Sequence, residues 1–330
     1  MSLLVTGSIG IDTIKTPYGE SRDCLGGSSI YFSMAASFFT PVRLVGVIGA
    51  DCPFDLSKVF AGRDVDLTGL EVRPHSKTFR WAGSYHDNMD DRTTDCLELN
   101  VLAEHPPTVP AQFRNSEFVF LANTTPKLQL ELLDQIKSPF FVAADTMNCW
   151  IQDRRDDLNT LLKKIDCLII NEDEAKMLAA EFNLIKAAEN ILGMGPTVLI
   201  IKKGQSGSIM IQSDSNVARA SSPCKHGQAC PERSRRDGRA TNINRLFVLP
   251  AYPAADVKDP TGAGDSFAGA LLGHLAQTGK IDFDSLKKAV AYGTVVASFT
   301  ISDFSLQGLA SITKNDIDKR LETLRKLTNF

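Results

Sequence analysis

Residues 259–272 read DPTGAGDSFAGALL. Phe267, Leu271 and Leu275 recur at helical spacing, which predicts a helix beginning near Gly264. The first backbone N–H groups of a helix have no intrahelical partner, and the helix dipole puts partial positive charge on them. Gly262 and Gly264 carry no side-chain bulk, so these amides can approach an anion closely. The stretch therefore reads as a cradle for a phosphate or another oxyanion. A plainer reading stands beside it: glycines that shape a turn, and an aspartate that complements the dipole. Asp265 weighs on the choice, because a carboxylate repels an anion. Its presence makes sense if it takes the proton of a hydroxyl that attacks phosphorus. The phosphate-loop pattern G-x-x-x-x-G-K-[ST] is absent, and no G-x-G-x-x-G follows the first apolar run.

Outward from this stretch, short apolar runs alternate with amphipathic ones. The runs Leu3–Ile9, Val42–Ile48, Phe118–Ala122, Phe140–Ala144, Cys167–Ile170 and Val198–Lys202 predict strands. Helical patterns fall near 27–39, 126–137, 153–164 and 172–192. This rhythm predicts an α/β fold, three-layered and doubly wound around a mostly parallel sheet. The strands are nearly all apolar, as strands covered on both faces are. Polar residues gather where they end: Asn123 after FVFLA, Asp145 after FFVAA, Asn171 after CLII, and Lys202 and Lys203 after VLII. In open α/β sheets ligands bind beyond the carboxyl ends of the strands. Each of these residues can equally cap the next helix.

Two segments break the rhythm. In TFRWAGSYH (78–86), Phe79, Trp81 and Tyr85 share one parity, and in TDCLELNV (94–101) Leu97, Leu99 and Val101 do the same. This predicts a two-stranded antiparallel hairpin with one apolar face, which must cover something because a lone hairpin is marginal in water. The expected small β lid takes in about 13–24 and 76–102. The second segment, 214–245, is polar and basic without hydrophobic period, and reads as a disordered insertion between GSIMIQ (207–212) and LFVLPAY (246–252). Its arginines lack the interleaved aromatics of a nucleic-acid surface. Cys224, His226 and Cys230 lack a fourth metal ligand at suitable spacing.

The 330 residues suit one large α/β domain, 1–330, with an appendage. Apolar residues make up 43% and charged residues 23%, enough for a full core. The net charge of −3 creates no global attraction for nucleic acid or anionic membrane. No apolar run spans a bilayer, and MSLLVTGSIGID reads as a strand rather than a leader. Seven scattered cysteines point to reduced thiols and a cytoplasmic setting.

DPTGAGDSFAGALL resembles the C-terminal signature of the ribokinase-like, or PfkB, family of carbohydrate and nucleoside kinases. LGGSSIYFSMAASFFTPVRLVGVIGAD (25–51) resembles its N-terminal signature, NEDEA (171–175) its N-x-x-E motif, and KKGQSG (202–207) its nucleotide-contacting strand end. The four motifs stand in the family's order. The resemblance implies Asp265 as catalytic base and the amides of Gly262, Ala263 and Gly264 as anion hole. It implies substrate contacts at Asp12, placed at the end of the first strand, and at Gly26 and Gly27. Tyr31 stands where ribokinases carry an Asn, and Asn123 where they carry an acidic residue, changes that alter which hydroxyl pattern is satisfied. Trp81 of the lid would stack on a sugar or base. Asn171 and Glu174 would organise Mg²⁺ through water, with Lys203, Gly204, Gly207 and Thr261 beside the nucleotide. Asp259 matches a position that binds a monovalent cation such as K⁺. The lid implies pairing with a second subunit, a homodimer. The expected function is ATP-dependent phosphorylation of a hydroxyl on a sugar or sugar-like molecule. The alternatives are a nucleoside kinase and a non-catalytic sugar- or nucleotide-binding regulatory protein on the same fold.

Overall fold

The apolar runs pair into one nine-stranded sheet in the order β13-β12-β11-β10-β9-β8-β1-β4-β5. The computed structural model describes residues 1–89, 92–213 and 243–328. The large sheet comprises β1 (Leu3–Thr6), β4 (Val42–Gly49), β5 (Val65–Arg73), β8 (Phe118–Leu121), β9 (Phe141–Ala144), β10 (Cys167–Asn171), β11 (Val198–Lys202), β12 (Ser208–Ser213) and β13 (Ile243–Leu249). It is parallel from β5 to β11, and β12 and β13 add an antiparallel edge. Adjacent residues of one strand serve opposite cores. Leu3 and Val5 pack with Phe118 and Phe120 on one side, and Leu4 packs with Val119 and Leu121 on the other. That is why the central strands are apolar throughout rather than alternating, while the edge strands β5 and β13 keep exposed positions.

Helices α1 (Ser28–Ala36), α2 (Leu56–Val59), α3 (Pro126–Leu133), α4 (Asn148–Asp153), α5 (Arg155–Leu162), α6 (Glu172–Ala179) and α7 (Leu184–Met194) precede β13. Four follow it: α8 (Ala263–Thr278), α9 (Phe283–Thr300), α10 (Gln307–Ala310) and α11 (Lys314–Thr328). Residues of α1, α8, α9 and α11 build one core, and residues of α3, α5, α6 and α7 the other. The helical pattern at 172–192 divides in two. Ala180 takes a left-handed φ of 51°, and the Asn183 side chain caps α7 by accepting from the Ile185 and Lys186 amides at 3.0 and 3.2 Å. Sequence periodicity runs through this break because both helices bury the same side.

A second sheet, in the order β3-β2-β6-β7, contains β2 (Gly10–Thr16), β3 (Gly19–Gly26), β6 (Phe79–Tyr85) and β7 (Arg92–Glu98). Two expectations need correction here. The first strand stops at Thr6, so Asp12 belongs to β2 of the small sheet and not to the end of β1. The expected apolar face on the second hairpin strand is absent. β7 is exposed along its whole length, Leu97 is half exposed, and Val101 is buried in the 3₁₀ turn after the strand. β7 is the sheet's edge, so its parity faces no core. The insertion read at 214–245 lies outside the described residues except for 243–245, which open β13.

Candidate active site

The carboxyl ends of β8 to β11 meet the start of α8. Gln129, buried on α3, ties the strand ends together. Its amide nitrogen donates to the Leu121, Ala122 and Asp145 carbonyls at 2.8, 3.3 and 3.1 Å. Gly262 is the N-cap of α8 in a left-handed conformation, φ 75°. The Ala263 N–H closes a turn on Pro260 at 3.3 Å, while the Gly264 N–H has no acceptor among the described residues. Asp265 follows in the first turn of the helix.

Asp265 stands between two groups of charges. Burial pushes its carboxyl up to about 6, Lys202 and Arg92 pull it back, and Glu174 pushes it further up. On the sheet side, burial raises Asp145 well above the carboxylate range; Asp265 and Glu174 add to the rise and Lys202 opposes it. One Asp145 oxygen, Oδ1, is buried without a partner. On the small-sheet side, Asp12 is pushed up to about 7, first by burial and then by the charges of Asp259 and Asp265. Asp12 lies over Gly26, where a Cβ would overlap its carboxylate, and its Oδ1 has no partner. Gly27 opens α1 with φ 101°, and a side chain there would strike the Ser8 carbonyl.

The structure places the remaining expected residues as follows. Tyr31 is 1% exposed, lies under Gly262 and so supports the loop, and its hydroxyl is buried without a partner. Trp81 lies along its own strand over Gly83, with the Arg92 guanidinium 5.7 Å from a ring centroid. Asn123 is held by Trp150, whose indole N–H donates to Asn123 Oδ1 at 2.9 Å. Asn171 and Glu174 form a reciprocal capping box. Asn171 Oδ1 accepts from the Glu174 amide at 2.8 Å, and Glu174 Oε2 accepts from the Asn171 amide at 2.8 Å. Glu174 is buried yet keeps one carboxylate oxygen outside the box, so capping leaves it an acceptor to spare. Lys203 turns away from the cradle and pairs with Glu172 at 3.4 Å. Gly204 and Gly207, at φ 53° and 88°, shape the turn from β11 to β12. The Thr261 hydroxyl donates to Tyr85 Oη at 3.1 Å, joining the small sheet to the cradle loop. Asp259 is 1% exposed and accepts from the Thr261 amide at 2.9 Å and the Ser305 amide at 3.2 Å.

Hydrated Mg²⁺ fits this donor set. A free oxygen of Glu174 and the unpartnered Oδ1 of Asp145 can accept from its waters. Among the described residues no cluster of three or more His, Cys, Asp or Glu side chains encloses a metal directly. Arg92, Tyr85 and Trp150 were not singled out for these contacts from sequence. Arg92 stands in a polar edge strand and Trp150 in a short helix, and neither segment carries a motif. Tyr85 was visible as part of an apolar parity and, with Trp81, as an aromatic face of the lid able to stack on a sugar or base.

Known proteins resemble this chain in sequence and fold. The model of the pfkB family carbohydrate kinases matches residues 33–226 and 240–313. A cytidine kinase of Thermococcus kodakarensis is 25% identical over 277 residues, 82% of this chain and 87% of that protein. A nucleoside kinase of Burkholderia thailandensis solved with inosine superposes with a TM-score of 0.72 at 18% identity, covering 98% of each chain. An Escherichia coli chain solved with ATP and Mg²⁺ gives a TM-score of 0.72 at 16% identity, covering 98% of this chain and 99% of that one. The order of the motifs and the match across most of the chain make this protein a member of the pfkB family of carbohydrate kinases, ATP-dependent enzymes that phosphorylate sugar-like small molecules.

Proposed function

We propose that the protein transfers the γ-phosphoryl group of ATP to a hydroxyl of a nucleoside, with Asp265 as the base. The observation that carries this reading is the position of Asp265, a carboxyl held near 6 in the first turn of α8, between an open amide at Gly264 and the buried Asp12. A binding protein gains nothing from a carboxylate at a phosphate cradle. Similarity to a cytidine kinase and to a nucleoside kinase favours a nucleoside over a free sugar.

Asp12, beside Gly26 and Gly27, receives hydroxyls of the acceptor. Asp265 takes the proton of the attacking hydroxyl, and the Gly262 and Gly264 amides stabilise charge on the group in transit. When bound, Mg²⁺ would neutralise charge at the phosphates, with Glu174, Asp145 and Asn171 holding its waters. The small sheet closes over the acceptor as a lid and excludes water, helped by the link from Thr261 to Tyr85. The exposed edge at β7 offers a pairing surface for a second copy of the chain. Asp259, already held by two amides, serves the loop first, and a K⁺ role for it is tested by potassium activation. No helix among the described residues is long and apolar enough to cross a membrane.

The test is phosphoryl transfer from MgATP across nucleosides and sugars, with Asp265→Asn as control. Turnover of a nucleoside, with loss in the variant, supports the reading. Turnover of a free sugar alone overturns the acceptor, and an active Asp265→Asn variant overturns the base.

A further inference from the structure

Lys202 closes β11 and lies against the cradle. Its backbone is in register with Asn171 on β10 and Ser208 on β12, so the strand fixes its origin. A Cβ on Gly264 would stand 2.7 Å from Lys202 Nζ, 3.7 Å from Cε and 3.8 Å from Cδ. The side chain therefore runs over the first turn of α8 and sets its ammonium beside Gly264. Its neighbour Lys203 goes the other way, to Glu172. The charge of Lys202 is felt by Asp265, Asp145 and Glu174. It nevertheless forms no ion pair among the described residues. An ammonium held among three carboxylates and paired with none has its donors free for another anion.

We infer that Lys202 is a catalytic residue: Nζ donates to an oxygen of the terminal phosphoryl group while that group lies against the Gly264 amide. This rests on the reading of residues 262–265 as the phosphoryl cradle. In the step, the acceptor oxygen forms a bond to the γ-phosphorus, and the bond from that phosphorus to the bridging oxygen of ADP breaks. The hydroxyl proton passes to Asp265, and ADP leaves with the bond's electron pair. Charge spreads over the equatorial oxygens in transit. Carboxylates surround them, and a lysine, a compact point charge, offsets that repulsion. Glycine at 264 is then required twice, once for the amide and once because a methyl would displace the ammonium.

The contact involves an oxygen that ATP has and ADP lacks, so nucleotide binding tests it without knowledge of the acceptor. Calorimetry on the full chain would measure the Kd of the Mg²⁺ complexes of ADP and of a non-hydrolysable ATP analogue. In Lys202→Met the analogue is expected to bind about 10- to 100-fold more weakly, as for a lost bond to a charged group, with ADP within about twofold. Its kcat should fall about 10²- to 10³-fold, as on removal of one oxyanion donor. Lys202→Arg should keep part of the preference for the analogue. Lys202→Gln repeats the test if the methionine disturbs packing, with thermal unfolding as the check on the fold. Equal weakening of both nucleotides, or of neither, overturns the role. If Asp265→Asn is inactive while Lys202→Met keeps its preference and its rate, the base stands and the lysine falls. A wild-type protein that binds neither nucleotide removes the cradle and the lysine together.

Discussion

The Tyr31 ring lies directly beneath Gly262, so close that a Cβ on the glycine would stand 2.4 Å from its Cγ and Cδ1, and Gly262 holds φ at +75°. Two independent constraints thus forbid a side chain at the head of α8. Gly262→Ala is expected to combine left-handed strain with overlap, each on the order of 1–3 kcal/mol. The loop would relieve both by moving, and kcat should fall by about 100-fold or more. Tyr31→Phe keeps the ring and removes a buried hydroxyl that has no partner. Its kcat should stay within a few-fold of wild type and its unfolding midpoint should not fall. Steady-state kinetics on both variants decide the matter. If Tyr31→Phe is as damaged as Gly262→Ala, the hydroxyl and not the ring is what the site uses.

Asp265 must be ionised to take a proton, and burial raises it to about 6. The expected kcat/KM is level above about pH 7 and falls about tenfold per pH unit below about 6. Asp265→Asn should lose about a thousandfold or more and should lose this acid limb as well. A limb that persists in the variant with the same midpoint would belong to another group.

The capping box allows structure to be separated from metal. A glutamine at the third helical position completes the same box as a glutamate. Glu174→Gln should therefore keep the thermal midpoint close to wild type while raising the Mg²⁺ concentration needed for half-maximal rate by several-fold or more. Asn171→Ala should lose the cap itself, at about 1 kcal/mol of stability. An unchanged Mg²⁺ requirement in Glu174→Gln would leave the pair with only its structural role.

Much of this was legible in the sequence. Six strands of the main sheet were legible because burial on both faces makes each a continuous apolar run, whereas the edge strand β5, with its exposed polar positions, carried no such run; the start of α8 read correctly from Gly262, Gly264 and Phe267. Family resemblance named Asp265, Asn171 and Glu174, and all three stand where β10 and α8 meet the carboxylates. What was not legible depends on direction. Lys202 and Lys203 are adjacent and chemically alike, but β11 ends between them, so Lys202 runs to Gly264 while Lys203, in the following turn, reaches Glu172. The sequence cannot say which until the register of β11 is fixed. Tyr31 aligned with a sugar contact, and nothing in the sequence showed that its ring also fills the space beneath Gly262. Leu97 and Val101 shared a parity, but the strand ends at Glu98 and no core faces it.

Asp12 gives a stability test independent of turnover. Its carboxyl is 4% exposed, and burial with the charges of Asp259 and Asp265 moves it from 3.8 to about 7. Between these values the folded protein holds a proton that the unfolded chain has released. The contribution of Asp12 to stability therefore falls as pH rises from about 4 to about 7, and the full penalty is present above 7. At about 1.4 kcal/mol per pH unit, the penalty reaches roughly 4 kcal/mol. Asp12→Asn cannot ionise, so it should stabilise the unliganded protein at pH 8 by up to roughly 4 kcal/mol and not at all at pH 4. The same variant should lose activity if, as proposed, Asp12 receives an acceptor hydroxyl. Denaturant unfolding at the two pH values measures the difference. An equal gain at both would mean that the substitution acts through packing, and that Asp12 titrates in the folded protein where it does in the unfolded chain.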